Sequence, residues 1–351
     1  MKLPKFNPFF KSGEIDMPSI SKIYNNSKFT KEALLSIGKF GNICSTTPLP
    51  LCFVVRSSNV AQPNAVGQSS HYERTHLNVG VVPRCYSRAV DIANTAIFQV
   101  GNAFVNLIAL CVILIISYNI RFKYTAIGRS EYGYLFQLCF LLICMTLVVD
   151  CGISPPGTAA YPYLVALQIG LVGGCAWALG VMAFLGFRLW EDGTRKSMLI
   201  VRGVSFVGLL LGFLVSIITF RDWMQNHNDM NTNTTALFVV MYCLNGLAML
   251  VFIICQLVIS LFVLKNLWMT GSMVLGAIFM STGQILMYTV SAEICEGVKH
   301  YLDGLFIGSI CNVFALMMLY KTWDISTDDD LEFSVSISAD GDVMYQSEIN
   351  L

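Results

Sequence analysis

The residues of this chain best suited to metal ligation or proton transfer near neutral pH are His71, His76, His227 and His300. All four fall in loops or in the polar N-terminal region, and no cluster of His and Asp lies inside an apolar segment. A membrane-embedded zinc hydrolase would need such a cluster at depth, so that chemistry is not expected. The last apolar segment contains no lysine to anchor a retinal Schiff base. No cysteine spacing resembles a zinc site. The expectation is a non-enzymatic protein that needs no cofactor and no metal.

Three other polar features remain. Arg202, in MLIVRGVSFVGLLLG (198–212), is a charge that enters an apolar segment. It lies only about 9 Å in at 1.5 Å per residue, so its guanidinium can snorkel to the headgroups rather than form a buried ion path. Asp330-Leu331-Glu332, in the strip KTWDISTDDDLEF (321–333), has the Asp-x-Glu form of di-acidic signals read by the coat that exports cargo from the endoplasmic reticulum. Two carboxylates flanking an apolar side chain suit a basic pocket with a hydrophobic floor; the plainer reading is a solvated acidic tail. Finally, amides recur within the apolar segments: Asn102, Asn106, Gln137, Gln168, Asn245, Gln256, Gln284 and Asn312. In hydrocarbon each wants a hydrogen-bond partner, inside the bundle or on another protein.

The elements that carry these residues follow from composition. Hydrophobic residues make up 55% of the 351-residue chain and charged residues 13%, far from the balance of a soluble domain. A net charge of zero offers no basic face to nucleic acid. Apolar runs near 94–118, 132–149, 162–187, 198–220, 236–264, 268–291 and 303–320 are each long enough to cross a hydrocarbon core. The fold class is therefore an all-α polytopic membrane protein with seven transmembrane helices. Residues 1–40 read as a flexible polar N-terminal extension, 41–92 as a luminal region, 93–320 as the transmembrane domain and 321–351 as an acidic cytosolic tail. Nothing in the first region has the flanks of a cleavable signal peptide. The pairs Gly170 with Gly174, Gly208 with Gly212 and Gly304 with Gly308 would let helix backbones approach closely.

Orientation comes from loop charge. Arg121, Lys123, Arg129, Arg188, Arg195, Lys196, Lys265 and Lys321 lie on one face, against Arg84, Arg88, Arg221 and Lys299 on the other. Eight basic residues against four place the first set in the cytosol, with a luminal N-terminus and a cytosolic C-terminus. On this topology the sequon Asn233-Thr234-Thr235 is luminal, making Asn233 a candidate N-glycosylation site. Cys44, Cys52, Cys85, Cys151 and Cys295 are luminal too, enough for two disulfides and one free thiol, with the pairing left open.

Several stretches are more distinctive. ICSTTPLPLC (43–52), LNVGVVPRCYSR (77–88), NIRFKYTAIGRSEY (119–132), LVVDCGISPPG (147–157), FLGFRLWEDGTRKSMLIVRG (184–203) and ICEGVKHYLDGLFIGSICNVFALMMLYKTWDISTDDDLEF (294–333) resemble the fungal chitin synthase export chaperone family, as does DGDVMY (340–345). The resemblance runs over roughly residues 41–345 and departs in the first forty residues and in the Gln/Asn/Ser-rich stretch 57–76. It implies a multi-pass protein of the endoplasmic reticulum membrane that helps a multispanning chitin synthase fold and leave, in support of cell-wall chitin synthesis. The implied partners are the synthase, the lipid bilayer and a vesicle-coat cargo adaptor at Asp330 and Glu332. The alternative within the same resemblance is a stable accessory subunit that accompanies the synthase to the plasma membrane. A seven-span receptor fits less well, because the third segment ends FRLWED without an Asp/Glu-Arg-Tyr triplet and the seventh reads FALMMLY without Asn-Pro-x-x-Tyr.

Overall fold

A computed structural model describes residues 40–55, 80–81, 83–88, 90–92, 95–97, 99–123, 126–156, 158–184, 187, 193–221 and 234–349, with the backbone alone at 41–42, 91–92, 95–96 and 328–349. The expectations for residues 1–39, for the stretch 57–76 and for Asn233 lie outside these residues.

Seven helices are long and apolar enough to cross a membrane. They are α2 (Val100–Phe122), α3 (Arg129–Asp150), α4 (Tyr161–Met182), α5 (Arg195–Phe220), α6 (Thr235–Val263), α7 (Leu267–Thr289) and α9, which crosses over Gly304–Thr327. Two short helices, α1 (Phe40–Thr46) and α8 (Ser291–Gly297), lie outside the spans. Within α6, the turns Val239–Leu244 and Ile259–Val263 are π-helical. Several boundaries differ from expectation; the third span ends at Met182 and the fourth starts at Arg195, and three further differences have a visible cause. The first span starts at Val100, because Val90–Ile92 (β1) and Thr95–Ile97 (β2) pair as an antiparallel hairpin rich in β-branched residues. The second starts at Arg129, which brings the charged Glu131 into its first turn. The seventh does not stop near residue 320: the backbone of α9 stays helical from Gly304 to Ile349, a stretch without proline.

Helix α4 is the most buried span, and it packs on α5 through glycine. A Cβ at Gly170 would stand 2.8 Å from the Leu209 carbonyl oxygen, and one at Gly173 would stand 2.9 Å from that of Gly208. The two helices therefore meet backbone to backbone, as small residues at four-residue spacing allow. A second tight pair joins α7 to α9, where a Cβ at Gly283 would meet the Cys311 Cβ at 2.8 Å. The glycine stripes thus pack this bundle on itself.

The segment 40–55 forms a cap over one end of the bundle. Phe40, Cys44, Leu51 and Cys52 are buried in one cluster with Tyr161, Leu237 and Met287 from three spans. Its polar groups are fixed to helix ends: Thr47 Oγ1 donates to the Met287 carbonyl at 2.9 Å, Gln99 Nε2 to that of Pro48 at 3.0 Å, and the Tyr161 hydroxyl to that of Pro50 at 3.2 Å. At the opposite end, Trp323 is buried and donates its indole N–H to the Ile127 carbonyl at 3.0 Å, while Lys123 pairs with Asp324. The first half of KTWDIST is therefore a clamp between α9 and the α2–α3 turn.

Candidate functional site

Beneath the cap, Asp150 ends α3 and is buried. Its Oδ2 accepts from Asn102 Nδ2 at 2.6 Å and Asn106 Nδ2 at 3.1 Å, both on α2. The Ser309 hydroxyl on α9 donates to the side-chain amide oxygen of Asn102, Oδ1. One carboxylate thus ties three spans, and two of the amides singled out in the sequence are spent inside the bundle. Gln168 donates to Thr146 at 3.2 Å, which joins α4 to α3. Asn245 and Gln256 are buried as well. Near the other end Glu131, wholly buried, accepts from the Gly193 N–H at 3.0 Å and the Ser197 hydroxyl at 2.7 Å. Neither Asp150 nor Glu131 stands out in the sequence, because each lies at the very edge of an apolar run.

The cysteines at the cap end divide three ways. Cys44 bonds to Cys52 across the short helix and turn of the cap. Cys85 bonds to Cys295, which fastens the segment before α2 to α8, 210 residues on. Cys151 is a free thiol, pushed up by burial with the neighbouring Asp150 charge adding to it. His300 lies beside both sulfurs of the second bridge, with Nδ1 3.2 Å from Cys85 Sγ. The three groups have the proximity of a metal site, but both sulfurs are engaged in the disulfide, so the cluster is a structural staple rather than a set of free thiolate ligands. Lys299 and His300 take positive φ to make this turn, and the Arg88 N–H holds the His300 carbonyl at 2.9 Å.

No reacting constellation emerges from these groups: Asp150, Gln168 and Glu131 join neighbouring helices, while Ser216 and Thr219 bond to carbonyls of their own helix. What the bundle presents outward differs from span to span. Helices α7 and α9 are the least apolar of the seven and also the least covered by the rest of the chain. Ser281 and Thr282 on α7 and Asn312 on α9 are exposed near the level where Gly283 meets Cys311. None of the three side chains makes a hydrogen bond among the described residues. A hydroxyl or amide facing hydrocarbon is unfavourable, and it becomes favourable when another helix supplies a partner.

A sequence model described as chitin synthase export chaperone matches residues 36–337, most of the chain and all seven spans. The chain belongs to the chitin synthase export chaperone family. It is 76% identical over 322 residues to the chitin synthase export chaperone of Eremothecium gossypii, covering 92% of this chain and 94% of that protein. The identity to the Saccharomyces cerevisiae chitin synthase export chaperone is 58% over 313 residues, 89% of this chain and 99% of that one. The Neurospora crassa protein of the same description is 38% identical over 298 residues, 85% and 78% of the two chains. No solved structure matches.

The match to the export chaperone family ends near residue 337 and so includes Asp330 and Glu332. Both lie on the helical backbone of α9, and their side chains are outside those described. For a chaperone of membrane clients, the exposed polar side chains on α7 and α9 are a more informative finding than any catalytic group; Gln137 on α3 is exposed as well.

Proposed function

We propose that this protein is a membrane chaperone that helps a multispanning chitin synthase fold and leave the endoplasmic reticulum, and that the client docks on the α7–α9 face. The reading is carried by the family membership, which extends over every span. The location of the face rests on the exposure of Ser281, Thr282 and Asn312. Interhelical hydrogen bonds in membranes contribute only about 0.6 kcal/mol each, so three give roughly 2 kcal/mol, about a thirtyfold preference for the bound state. That strength suits a chaperone. It shields polar client surface while the client's own bundle is open and yields once that bundle closes. No chemical step is required.

In the proposed orientation the cap is luminal and the end of α9 cytosolic. Two disulfides at the cap end belong in an oxidising compartment, and the basic loops lie at the other end. Asn233 then carries a glycan on the luminal side. Asp330 and Glu332 form the cytosolic handle for a coat adaptor. Residues 41–92, 93–320 and 321–351 act as luminal region, membrane domain and cytosolic tail.

The test is the location of a fluorescently tagged chitin synthase in fungal cells lacking this protein, with wall chitin measured alongside. Retention in the reticulum with low chitin is expected. Normal delivery with low chitin would favour an accessory subunit, and normal delivery with normal chitin would remove the proposal.

A further inference from the structure

The Cys85–Cys295 bridge has an imidazole beside it that a disulfide does not require. His300 Nδ1 lies 3.2 Å from Cys85 Sγ and 3.7 Å from Cys295 Sγ. Cys295 and His300 are separated by four residues at the end of α8, a spacing at which paired side chains chelate one ion. Cys85 joins them from 210 residues upstream, so no sequence motif announces the group. The backbone sets the ring in place. Lys299 and His300 turn back with φ of 54° and 67°, and the His300 N–H donates to the Cys295 carbonyl at 3.0 Å. Such left-handed pairs are uncommon away from glycine and persist only where their surroundings hold them.

The distances fit a metal ion. Tetrahedral zinc, with bonds of about 2.3 Å to sulfur and about 2.05 Å to nitrogen, sets each sulfur about 3.6 Å from the nitrogen and the sulfurs about 3.8 Å from each other. The two observed nitrogen–sulfur distances straddle the first value. Only the sulfurs must part, and with their Cα atoms 5.9 Å apart side-chain rotation can do this. Both cysteines are buried while His300 is exposed, which shields the sulfurs and leaves an entry from solvent. Two thiolates and an imidazole form a soft donor set that favours zinc over calcium or magnesium. Among the described residues no other group of three such ligands comes together.

We infer that Cys85, Cys295 and His300 form a zinc site whenever the bridge is open, so that this fastening has two forms, a disulfide and a zinc dithiolate. The chain is made with both cysteines as thiols. A dithiol reductant restores that state: it gives up two electrons and two protons, becomes a disulfide itself and leaves two thiols. Zinc then displaces both thiol protons and takes the Nδ1 lone pair on the tautomer that protonates Nε2, with water in the fourth position. Exchange with a disulfide oxidant reverses this: the oxidant leaves as two thiols, having taken up two electrons and two protons, and the ion is released. In either form the segment before α2 stays joined to α8, so the cap end is fastened before oxidation as well as after it.

The full-length protein, purified in detergent, is reduced with a phosphine and freed of metal. It is then titrated with Zn2+ against a chromophoric chelator, and with Co2+ as a spectroscopic probe. One tight equivalent with thiolate-to-cobalt charge-transfer absorption is expected in the reduced protein and none in the oxidised protein. His300→Asn removes the ring nitrogen but tolerates positive φ, so it should weaken zinc binding roughly tenfold or more while the disulfide still forms. Cys85→Ser with Cys295→Ser should abolish the tight equivalent. Cys44→Ser with Cys52→Ser, which removes the other reducible pair, should leave it unchanged. Should the reduced, metal-free protein lose its monodisperse chromatographic peak, zinc but not magnesium should restore that peak, and not in His300→Asn. Equal zinc binding by oxidised and reduced protein would overturn the inference, as would a tight equivalent that survives loss of Cys85 and Cys295. So would wild-type affinity in His300→Asn, which would leave the imidazole as no more than a hydrogen-bond partner of the Tyr86 carbonyl, 3.2 Å away. Metal binding is read on purified protein, so its failure leaves the export role untouched, and failure of the export role leaves this result standing.

Discussion

Alanine substitutions at glycine separate packing from helix propensity in this bundle. At an open helical position, Gly→Ala stabilises by about 0.5–1 kcal/mol, because the backbone loses less freedom on folding. Gly203 on α5 and Gly246 on α6 are such positions, with nothing within 4 Å of an added Cβ. Gly170 and Gly173 are the reverse. Their added Cβ atoms would stand 2.8 Å and 2.9 Å from backbone oxygens of α5, and backbone cannot rotate aside as a side chain can. Relief requires α4 and α5 to separate by about half an ångström, and overpacking of this kind costs about 1–3 kcal/mol. Propensity is common to all four positions, so the difference between the two sets isolates the packing cost. It corresponds to a factor of roughly 5 to 150 in the folded-to-unfolded ratio. Melting of the detergent-solubilised protein, followed by the loss of its monodisperse chromatographic peak, provides the comparison. We expect Gly203→Ala and Gly246→Ala to melt at or above the wild-type temperature, and Gly170→Ala and Gly173→Ala clearly below it. Equal melting of the four variants would refute the backbone-to-backbone contact between α4 and α5.

Further expectations concern the cap and the two ends. Closure of a 210-residue loop by Cys85–Cys295 sets a chain-entropy ceiling of about 5 kcal/mol, against about 2.5 kcal/mol for the 8-residue Cys44–Cys52 loop. Cys85→Ser with Cys295→Ser should therefore lower the melting temperature more than Cys44→Ser with Cys52→Ser, and the reverse order would count against the staple. Burial pushes the Asp303 carboxyl above the ordinary range. The folded state then holds that proton more tightly than the unfolded state, so its contribution is complete below the ordinary carboxylate pKa and is lost as pH rises through the raised value. The wild-type protein should accordingly gain melting temperature on acidification relative to Asp303→Asn, which still accepts the Phe306 N–H; parallel pH profiles would contradict this. Trp323→Ala removes a buried indole and its bond to Ile127, with an expected loss of about 3–5 kcal/mol read by the same melting assay.

Much of the architecture is legible in the sequence because hydrocarbon imposes length and composition on whatever crosses it. The seven spans follow from apolar runs alone, and their edges fail where another force acts. Thr95–Ile97 carries two β-branched residues, and it pairs in a hairpin instead of starting α2. Glu131 and Asp150 terminate apolar runs and read as loop residues, although burial and hydrogen bonding place them within α3. Glycine spacing identifies the stripes on α4 and α5, but which helix faces which depends on contacts between distant segments. The same applies to the cysteines: five candidates are visible, while the partnership of Cys85 with Cys295 depends on α8 reaching the segment before α2. Arg121 and Arg129 read as loop charges and Arg202 as a charge entering an apolar segment, and only the juxtaposition of α2, α3 and α5 brings them to one cavity.

Placing the client is the most direct test of the account. A photo-crosslinking amino acid is introduced singly at Ser281, Thr282 and Asn312 on the α7–α9 face, and at Phe206 and Leu210 on the exposed side of α5, in cells expressing a tagged chitin synthase. The account requires crosslinks to the synthase from the first three positions and none from α5. Crosslinks from α5 alone, or from neither face while the synthase is still exported, would contradict it.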